Sequence, residues 1–112
     1  MNDRGKKYED LACNYIKRKL GYKIIERNYN IRYGEIDIIA LEKKTVVFIE
    51  VKGGKEYYRP RLRVDEVKMK KIELTANFFL RDYEKNYIES RLDVIEVLDN
   101  GKINHFKGIS RW

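Results

Sequence analysis

Apolar residues recur at helical spacing in two stretches of the chain. In the first, they fall at i, i+3, i+4, i+7, i+8 and i+12, which places one apolar stripe along a helix. Asn2 or Asp3 is suited to cap the start of this helix, and Gly21 to end it in the left-handed conformation. A second stretch, from Val64 to Tyr83, has the same period and predicts a second helix. The first stripe consists of Tyr8, Leu11, Ala12, Tyr15, Ile16 and Leu20, and the second of Val64, Val67, Ile72, Thr75, Ala76, Phe79 and Tyr83.

The remaining apolar segments have patterns typical of strands. Lys23–Tyr29 mixes β-branched, aromatic and charged side chains without a helical period, and it predicts a strand. The stretches GEIDIIAL and TVVFIEVK predict an antiparallel hairpin with its turn at Lys43-Lys44. RLDVIEVL precedes Asn100-Gly101, a pair that favours a two-residue hairpin turn. The predicted order is helix, strand, strand, strand, helix, strand, strand, which indicates an α/β fold with a mixed central β-sheet flanked by helices.

Four charged side chains interrupt the apolar hairpin. The register set by the predicted turn makes Asp37 face Glu50 and Glu35 face Lys52. Because side chains alternate between the faces of a strand, Asp37, Glu50 and Lys52 are predicted to share one face. The other face is wholly apolar and must pack against another part of the protein. That apolar face carries Ile36, Ile38, Ala40, Val47, Ile49 and Val51.

Two carboxylates in directly opposed positions need a compensating charge, because facing like charges destabilise a sheet. Mg²⁺ and Mn²⁺ prefer oxygen ligands and often bind one or two carboxylates together with a substrate phosphate. Lys52 would then orient or deprotonate an attacking water, or stabilise charge on the phosphate. The pattern therefore predicts a site for phosphodiester hydrolysis. The alternative is a solvated face on which Glu35 and Lys52 form an exposed ion pair.

The composition narrows the class of protein and partner. Lys and Arg number 25 against 18 Asp and Glu, and the resulting net charge of +7 favours nucleic acid as a partner. The 112 residues suit one domain, so we expect a single domain over residues 1–112. The lone Cys13 excludes an intrachain disulfide and a Cys-based zinc site. No apolar run approaches the roughly 18 residues that a membrane span requires, so we expect a cytoplasmic protein with no membrane partner.

A basic, aromatic segment follows Lys52. The stretch GGKEYYRPRLR predicts a loop whose arginines would neutralise phosphates and whose tyrosines would stack on an exposed base. Alternatively, the loop is solvated and its tyrosines fold back on the core. Lysines at the start of the second helix would extend the basic surface, or serve solubility alone. The predicted nucleic-acid-binding residues are Lys55, Tyr57, Tyr58, Arg59, Arg61, Arg63, Lys68 and Lys71.

Other polar and aromatic residues are interpreted as structural. Asp93 is predicted to pair with Arg91 or a backbone group. His105 has no partner at a spacing typical of a metal site or a nucleophile triad, so it is predicted to be an exposed strand histidine. Tyr8 and Tyr15 lie at helical spacing and are predicted to belong to the core.

The motif GEID followed by FIEVK resembles the PD-(D/E)xK nuclease superfamily, which includes restriction endonucleases and archaeal Holliday junction resolvases. Asp37, Glu50 and Lys52 match its D…ExK pattern, although no Pro precedes Asp37. Nearly the whole chain is similar to the YraN-like family of small, largely uncharacterised bacterial proteins, through GKKYEDLA, LGYKIIERNY, GEIDIIA, VFIEVK and RLDVIEV. One departure is Gly53-Gly54 after the lysine, where members of the family commonly have a basic residue.

The resemblance implies a restriction endonuclease-like fold and a metal-dependent DNA endonuclease. It assigns Asp37, Glu50 and Lys52 to catalysis, and Asp37, Glu50 and Glu9 to Mg²⁺ or Mn²⁺. By similarity to junction resolvases it also implies branched or junction DNA as a substrate and a homodimer. Glu9 is alternatively a solvated helix residue. Two other functions stay open: a non-catalytic nucleic-acid-binding module with the same fold, and a protein–protein adaptor.

Overall fold

The computed structural model describes residues 3–54 and 65–112, with their side chains from Gly5 onward. The predicted order of helices and strands is confirmed. Neither helix in these residues combines the length and the apolar character that a membrane span needs. The elements are α1 (Asp3–Tyr15), followed directly by a π-helical segment (Ile16–Leu20), β1 (Lys23–Ile31), β2 (Gly34–Glu42), β3 (Thr45–Gly54), α2 (Glu66–Asp82), β4 (Glu89–Leu98) and β5 (Ile103–Arg111).

The five strands form one mixed sheet in the order β1-β2-β3-β4-β5. All neighbours are antiparallel except β3 and β4, which are parallel and are connected through α2. The predicted hairpin register is confirmed near its turn, where Leu41 pairs with Val46 and Ala40 with Val47. The connection from β4 to β5 was predicted as a two-residue turn but spans residues 99–102. Gly21 ends the π-helical segment at φ 71°, as predicted from its tolerance of the left-handed region.

Each face of the sheet is covered by one helix. On the α1 face, Ala12, Cys13 and Ile16 are buried, and the small side chains of Ala12 and Cys13 let the helix approach the strands closely. The predicted stripe is wrong at Leu11, which is 38% exposed, and at Val67 of α2, which is 66% exposed. On the α2 face the helix contributes Ile72, Ala76 and Phe79, which pack with Ile36, Ile39, Val46, Phe48 and Leu92 of the sheet.

A buried polar network fixes β4 to β5. The fully buried Asp93 carboxylate accepts hydrogen bonds from Arg91 Nε at 2.9 Å and from the Gly108 N–H at 2.9 Å. Arg91 also donates to Glu42 at 2.8 Å. Burial favours the neutral acid, yet hydrogen bonds from His105 and Arg91 hold the pKa of Asp93 below its usual value. The predicted structural role of Asp93 is therefore confirmed.

The predicted exposure of His105 is wrong. Its side chain is 8% exposed, and its Nε2 lies 2.8 Å from Asp93 Oδ2. Its ring also meets those of Tyr15 and Tyr22 edge-on. Spacing along the chain gave no sign of these contacts, because Asp93 comes from β4, Tyr15 from α1, and Tyr22 from the connection before β1.

We expect Asp93→Ala to lower the free energy of unfolding by about 3 kcal/mol, because the change leaves the Arg91 guanidinium buried without its main partner. The measurement is urea unfolding followed by circular dichroism at pH 7. Asp82→Ala is the matched control, since the exposed Asp82 pairs only with Arg81 on the surface in the described contacts. It should cost less than about 0.5 kcal/mol. Equal losses in the two variants would contradict a stabilising network at Asp93.

Candidate active site

The sheet divides into two halves at the end that carries the predicted acids. The ladder between β2 and β3 ends at the pair Ile38 and Ile49. Beyond that pair, β2 stays bonded to β1 as far as Gly34, and β3 stays bonded to β4 as far as Gly54. A slit therefore opens between residues 34–37 of β2 and residues 50–54 of β3.

The predicted ladder pairs at this end, Asp37 with Glu50 and Glu35 with Lys52, do not form. Instead, Asp37 Oδ2 accepts a hydrogen bond from the backbone N–H of Val51 at 2.8 Å. A side-chain carboxylate thus takes the place of a strand carbonyl, which ends the regular pairing and holds β3 at the edge of the slit.

Ile36 was predicted to share a face of the sheet with Ile38, and this prediction is also wrong. It packs in the α2 cluster, whereas Ile38 packs in the α1 cluster. Alternation between the faces is therefore broken between these two residues. This break leaves Asp37 at the slit, where it lines a cavity on each side of the sheet.

The three predicted catalytic side chains line one cavity nonetheless. Asp37, Glu50 and Lys52 surround a space of about 280 Å³ between the slit and α2, together with Lys68 and Lys71. On the α1 side of the sheet, a second cavity of about 270 Å³ is lined by Gly5, Tyr8, Glu9, Asp37, Val51, Lys52 and Gly53. We call these the α2-side cavity and the α1-side cavity. Asp37 and Lys52 line both, so they are reached from either face.

Three acids line the α2-side cavity, Glu35, Asp37 and Glu50, and the pKa values of Asp37 and Glu50 are raised. Burial and the nearby Glu50 carboxylate raise the pKa of Asp37 to about 7. Burial also raises the pKa of Glu50, although Lys68 and Lys52 oppose the shift. A divalent cation between the two carboxylates would supply the charge that favours ionisation of both. The donor set therefore fits Mg²⁺ or Mn²⁺ held by two carboxylates.

Two lysines face Glu50 from different elements. Lys68 Nζ of α2 lies 3.2 Å from Glu50 Oε2, and Lys52 Nζ of β3 lies 4.0 Å from the same atom. Burial and the ammonium of Lys68 lower the pKa of Lys52 to about 8. A lysine with this pKa has an appreciable neutral fraction near pH 7, which a general base requires. Lys68 was predicted only as a nucleic-acid contact, and the structure brings it to the acids as well.

Glu9 is buried, so the solvated alternative is wrong. It is 2% exposed, and its Oε1 accepts hydrogen bonds from Arg27 Nε and Nη2, at 3.2 and 3.1 Å, and from Asn28 Nδ2 at 3.0 Å. It lines the α1-side cavity together with Asp37. Among the described residues, no group of three or more acidic, His or Cys side chains converges as a metal site. Asp37 and Glu50 thus form a pair of acids. Glu9 lies near Asp37, and hydrogen bonds from Arg27 and Asn28 of β1 hold its carboxylate there.

Arg27 and Asn28 are site residues that the sequence analysis missed. They lie in β1, which was predicted to be a strand from its mixture of β-branched, aromatic and charged side chains. Their position against Glu9 depends on how α1 crosses the sheet, so local spacing could not reveal it. The adjacent Arg and Asn in ERNY, within a segment similar to the YraN-like family, were the one available signal.

Packing explains why Gly53, and not a basic residue, follows Lys52. The Tyr8 ring lies directly over Gly53, where a Cβ would come within 2.0 Å of a ring carbon. A basic side chain at this position would displace α1 from β3. The predicted core position of Tyr8 is confirmed, since it packs against the α1-face cluster, as does Tyr15.

Several predicted site residues lie outside the described part of the chain. The structure brings Lys68 and Lys71 to the α2-side cavity. The other predicted nucleic-acid contacts lie outside the described residues, as does the helix-capping candidate Asn2. Those contacts are Lys55, Tyr57, Tyr58, Arg59, Arg61 and Arg63.

Comparison with known proteins confirms the predicted family resemblance. A model of the uncharacterised protein family UPF0102 matches residues 8–97. A UPF0102 protein of Kosmotoga olearia is 50% identical over 109 residues, which cover 97% of this chain and 94% of that protein. A UPF0102 protein of Thermotoga maritima is 44% identical over 104 residues, covering 93% of this chain and 94% of that protein.

One solved structure supports the nuclease-like fold. The crystal structure of a repair endonuclease from Pyrococcus abyssi superposes with a TM-score of 0.50 and 21% sequence identity. The match covers 83% of this chain and 39% of that one, so the chain spans about two fifths of its length. At this identity the similarity shows the fold alone.

Proposed function

The chain belongs to the uncharacterised protein family UPF0102, and we propose that it is a metal-dependent endonuclease that hydrolyses phosphodiester bonds in DNA. The observation that carries the proposal is the convergence of Asp37, Glu50 and Lys52 on the α2-side cavity. Two mutually repelling carboxylates beside a lysine of lowered pKa combine a cation site with a base. In the described contacts Asp37 pairs with no cation, whereas the structural Asp93 pairs with Arg91.

Each residue has a distinct part in the proposed hydrolysis. Asp37 and Glu50 would hold Mg²⁺ or Mn²⁺, which when bound supplies Lewis acidity toward the scissile phosphate. Lys52, in its neutral form, would accept the proton of the attacking water. The Val51 N–H keeps one Asp37 oxygen fixed, so the carboxylate presents its other oxygen to the cavity. Lys68 would balance negative charge that gathers near Glu50 and on the phosphate.

The basic surroundings support DNA as the substrate. The chain has a net charge of +7, and Lys68 and Lys71 place two of its cations at the α2-side cavity. The nuclease-like fold supports the same class of partner. Branched or junction DNA as the preferred form, and a homodimer that cuts two strands, are proposed from the similarity to junction resolvases.

The test is cleavage of a panel of end-labelled DNAs: duplex, single-stranded, flap and four-way junction. Incubation with Mg²⁺ or Mn²⁺ should yield discrete products from at least one DNA, and excess chelator should abolish them. Absence of products from every DNA with either metal would contradict the proposal. Binding in a gel shift without cleavage would instead favour the non-catalytic module, and negligible binding near physiological salt would favour the adaptor.

A further inference from the structure

Lys68 reaches the proposed active site from the first turn of α2. The helix is capped by Asp65, whose Oδ1 accepts a hydrogen bond from the Lys68 N–H at 2.8 Å. Such a cap fixes the backbone of the first helical turn. The Lys68 side chain therefore leaves α2 from a fixed position, and its Nζ lies 3.2 Å from Glu50 Oε2.

The ion pair between Lys68 and Glu50 joins a buried acid to an accessible cation. The Glu50 side chain is 5% exposed, so its carboxylate needs a partner when it is ionised. The Lys68 side chain is 41% exposed, and it can leave the carboxylate without opening the core. The structural pair of Arg91 and Asp93 differs, since both of its side chains are buried. Lys68 is thus a counter-ion that is able to change partners.

A divalent cation and the Lys68 ammonium compete for the same carboxylate. A cation held by Asp37 and Glu50 brings a second positive charge to the group that Lys68 contacts. Like charges at such short range disfavour each other. Lys68 and Lys71 both line the α2-side cavity, so a phosphate group in that cavity offers the displaced ammonium a new anionic partner.

We propose that Lys68 is a built-in counter-ion of Glu50, which the divalent cation displaces and which then binds the scissile phosphate of the DNA. The inference rests on the proposed function, and it assigns a form of regulation to that site: the site binds the cation tightly only when DNA is present. By the reciprocity of linked binding, the cation must tighten DNA binding by the same factor.

The exchange keeps both Glu50 and Lys68 paired only when the two ligands bind together. The cation alone would displace Lys68 without giving its ammonium another anion. DNA alone would take Lys68 from Glu50 and leave that buried carboxylate with Lys52, whose Nζ is 4.0 Å away. With both ligands bound, the cation pairs with Glu50 and the phosphate pairs with Lys68. Each ligand therefore favours binding of the other.

Mn²⁺ calorimetry with and without DNA tests the exchange. Every protein carries Lys52→Ala so that DNA stays intact, and the probe is the DNA of the panel that wild type cuts fastest. In the protein with Lys52→Ala alone, DNA should tighten Mn²⁺ binding about tenfold. With Lys68→Met added, Mn²⁺ should bind about tenfold more tightly without DNA, and DNA should tighten it less than about twofold.

Two lysines of the same helix provide matched controls. Lys71→Met removes a cation that lines the same cavity but forms no ion pair with Glu50 in the described contacts. Lys70→Met removes an exposed lysine that pairs with Glu66 on the surface. Without DNA, either change should alter the Mn²⁺ affinity less than about twofold. Equal Mn²⁺ tightening by Lys68→Met and Lys71→Met, or none by Lys68→Met, would overturn the inference.

Two variants of Asp65 test the exchange with Lys68 in place. Asp65→Ala removes the cap that fixes the Lys68 backbone, whereas Asp65→Ser removes the same charge but can still cap the helix. Without DNA, Mn²⁺ should bind about threefold more tightly to Asp65→Ala than to Asp65→Ser. Equal affinities in this pair would overturn the inference even if Lys68→Met fails to fold.

Failure of the inference and failure of the proposed function give different results. If wild type cuts DNA and binds Mn²⁺ through Asp37, but Lys68→Met leaves the Mn²⁺ affinity unchanged, only the counter-ion exchange at Glu50 is overturned. If neither DNA cleavage nor Mn²⁺ heat that depends on Asp37 is found, the proposed function is overturned, and the inference with it.

Discussion

Lys52→Ala is expected to slow DNA cleavage about a thousandfold while leaving Mn²⁺ binding measurable. The variant lacks the amine that accepts the proton of the attacking water, yet it keeps both carboxylates of the cation site. Single-turnover cleavage of the best DNA in the panel gives the rate, and calorimetry gives the Mn²⁺ affinity. Because the pKa of Lys52 is lowered to about 8, the wild-type rate should rise with pH up to about pH 8 and then level off.

The control for this variant is Lys85→Ala, which removes an exposed lysine beyond α2 that lines a different cavity, with Phe79 and Tyr83. Its cleavage rate should stay within about twofold of wild type, as for surface changes that touch neither substrate nor site. A Lys52→Ala rate close to that of Lys85→Ala would refute the role of Lys52 as base. Loss of Mn²⁺ binding in Lys52→Ala would show that the lysine supports the cation site instead.

Asp37→Asn should abolish the Mn²⁺ heat, slow cleavage at least about a thousandfold, and stabilise the metal-free protein at pH 8 by about 2 kcal/mol. The folded-state pKa of Asp37, about 7, lies above the usual 3.8. Wild type therefore loses stability as pH rises from about 4 to about 7, because the folded state must give up a proton that it binds more tightly. Asparagine does not titrate, and its oxygen can still accept the Val51 N–H.

Denaturant unfolding at pH 4 and pH 8 measures this difference, with Asp82→Asn as the exposed control. The stability gain of Asp37→Asn should be present at pH 8 and nearly absent at pH 4. Mn²⁺ should raise the melting temperature of wild type and of Asp82→Asn, and should leave that of Asp37→Asn unchanged. A variant that is less stable than wild type at pH 8 would indicate that Asp37 is paired rather than strained.

The hairpin shows how far local pattern predicts this fold. Alternation and the Lys43-Lys44 turn were enough to set the register through Ile38 and Ile49, because each pair follows from the one before it. They could not predict where pairing stops. Pairing stops because the Asp37 carboxylate, and not a β2 backbone carbonyl, accepts the hydrogen bond from the Val51 N–H. It also stops because Ile36 packs against α2.

The candidate site was predictable where the residues share one hairpin, and not where several elements meet. Asp37, Glu50 and Lys52 were found from two adjacent strands, and they do line one cavity. The approach of Lys68 and the pairing of Glu9 with Arg27 require the relative placement of helices and sheet, which amphipathic periodicity leaves undetermined. His105 was mispredicted although its partner Asp93 lies on the paired strand β4, because the register of that pair shifts between Leu92 and Val94 and a turn alone does not reveal the shift.

The slit between β2 and β3 bears on which ions the proposed site accepts. Asp37 is carried by a strand anchored to β1, and Glu50 by a strand anchored to β4, so no ladder bond fixes the distance between them. Mg²⁺ needs oxygens at about 2.0–2.1 Å, whereas Ca²⁺ takes them at about 2.3–2.6 Å. The ladder between β2 and β3 stops at Ile38 and Ile49, one residue short of both acids, so this end of the site adapts to either radius. Discrimination between these ions would then arise in the hydrolytic step and not in binding, so Ca²⁺ would occupy the site as an inhibitor.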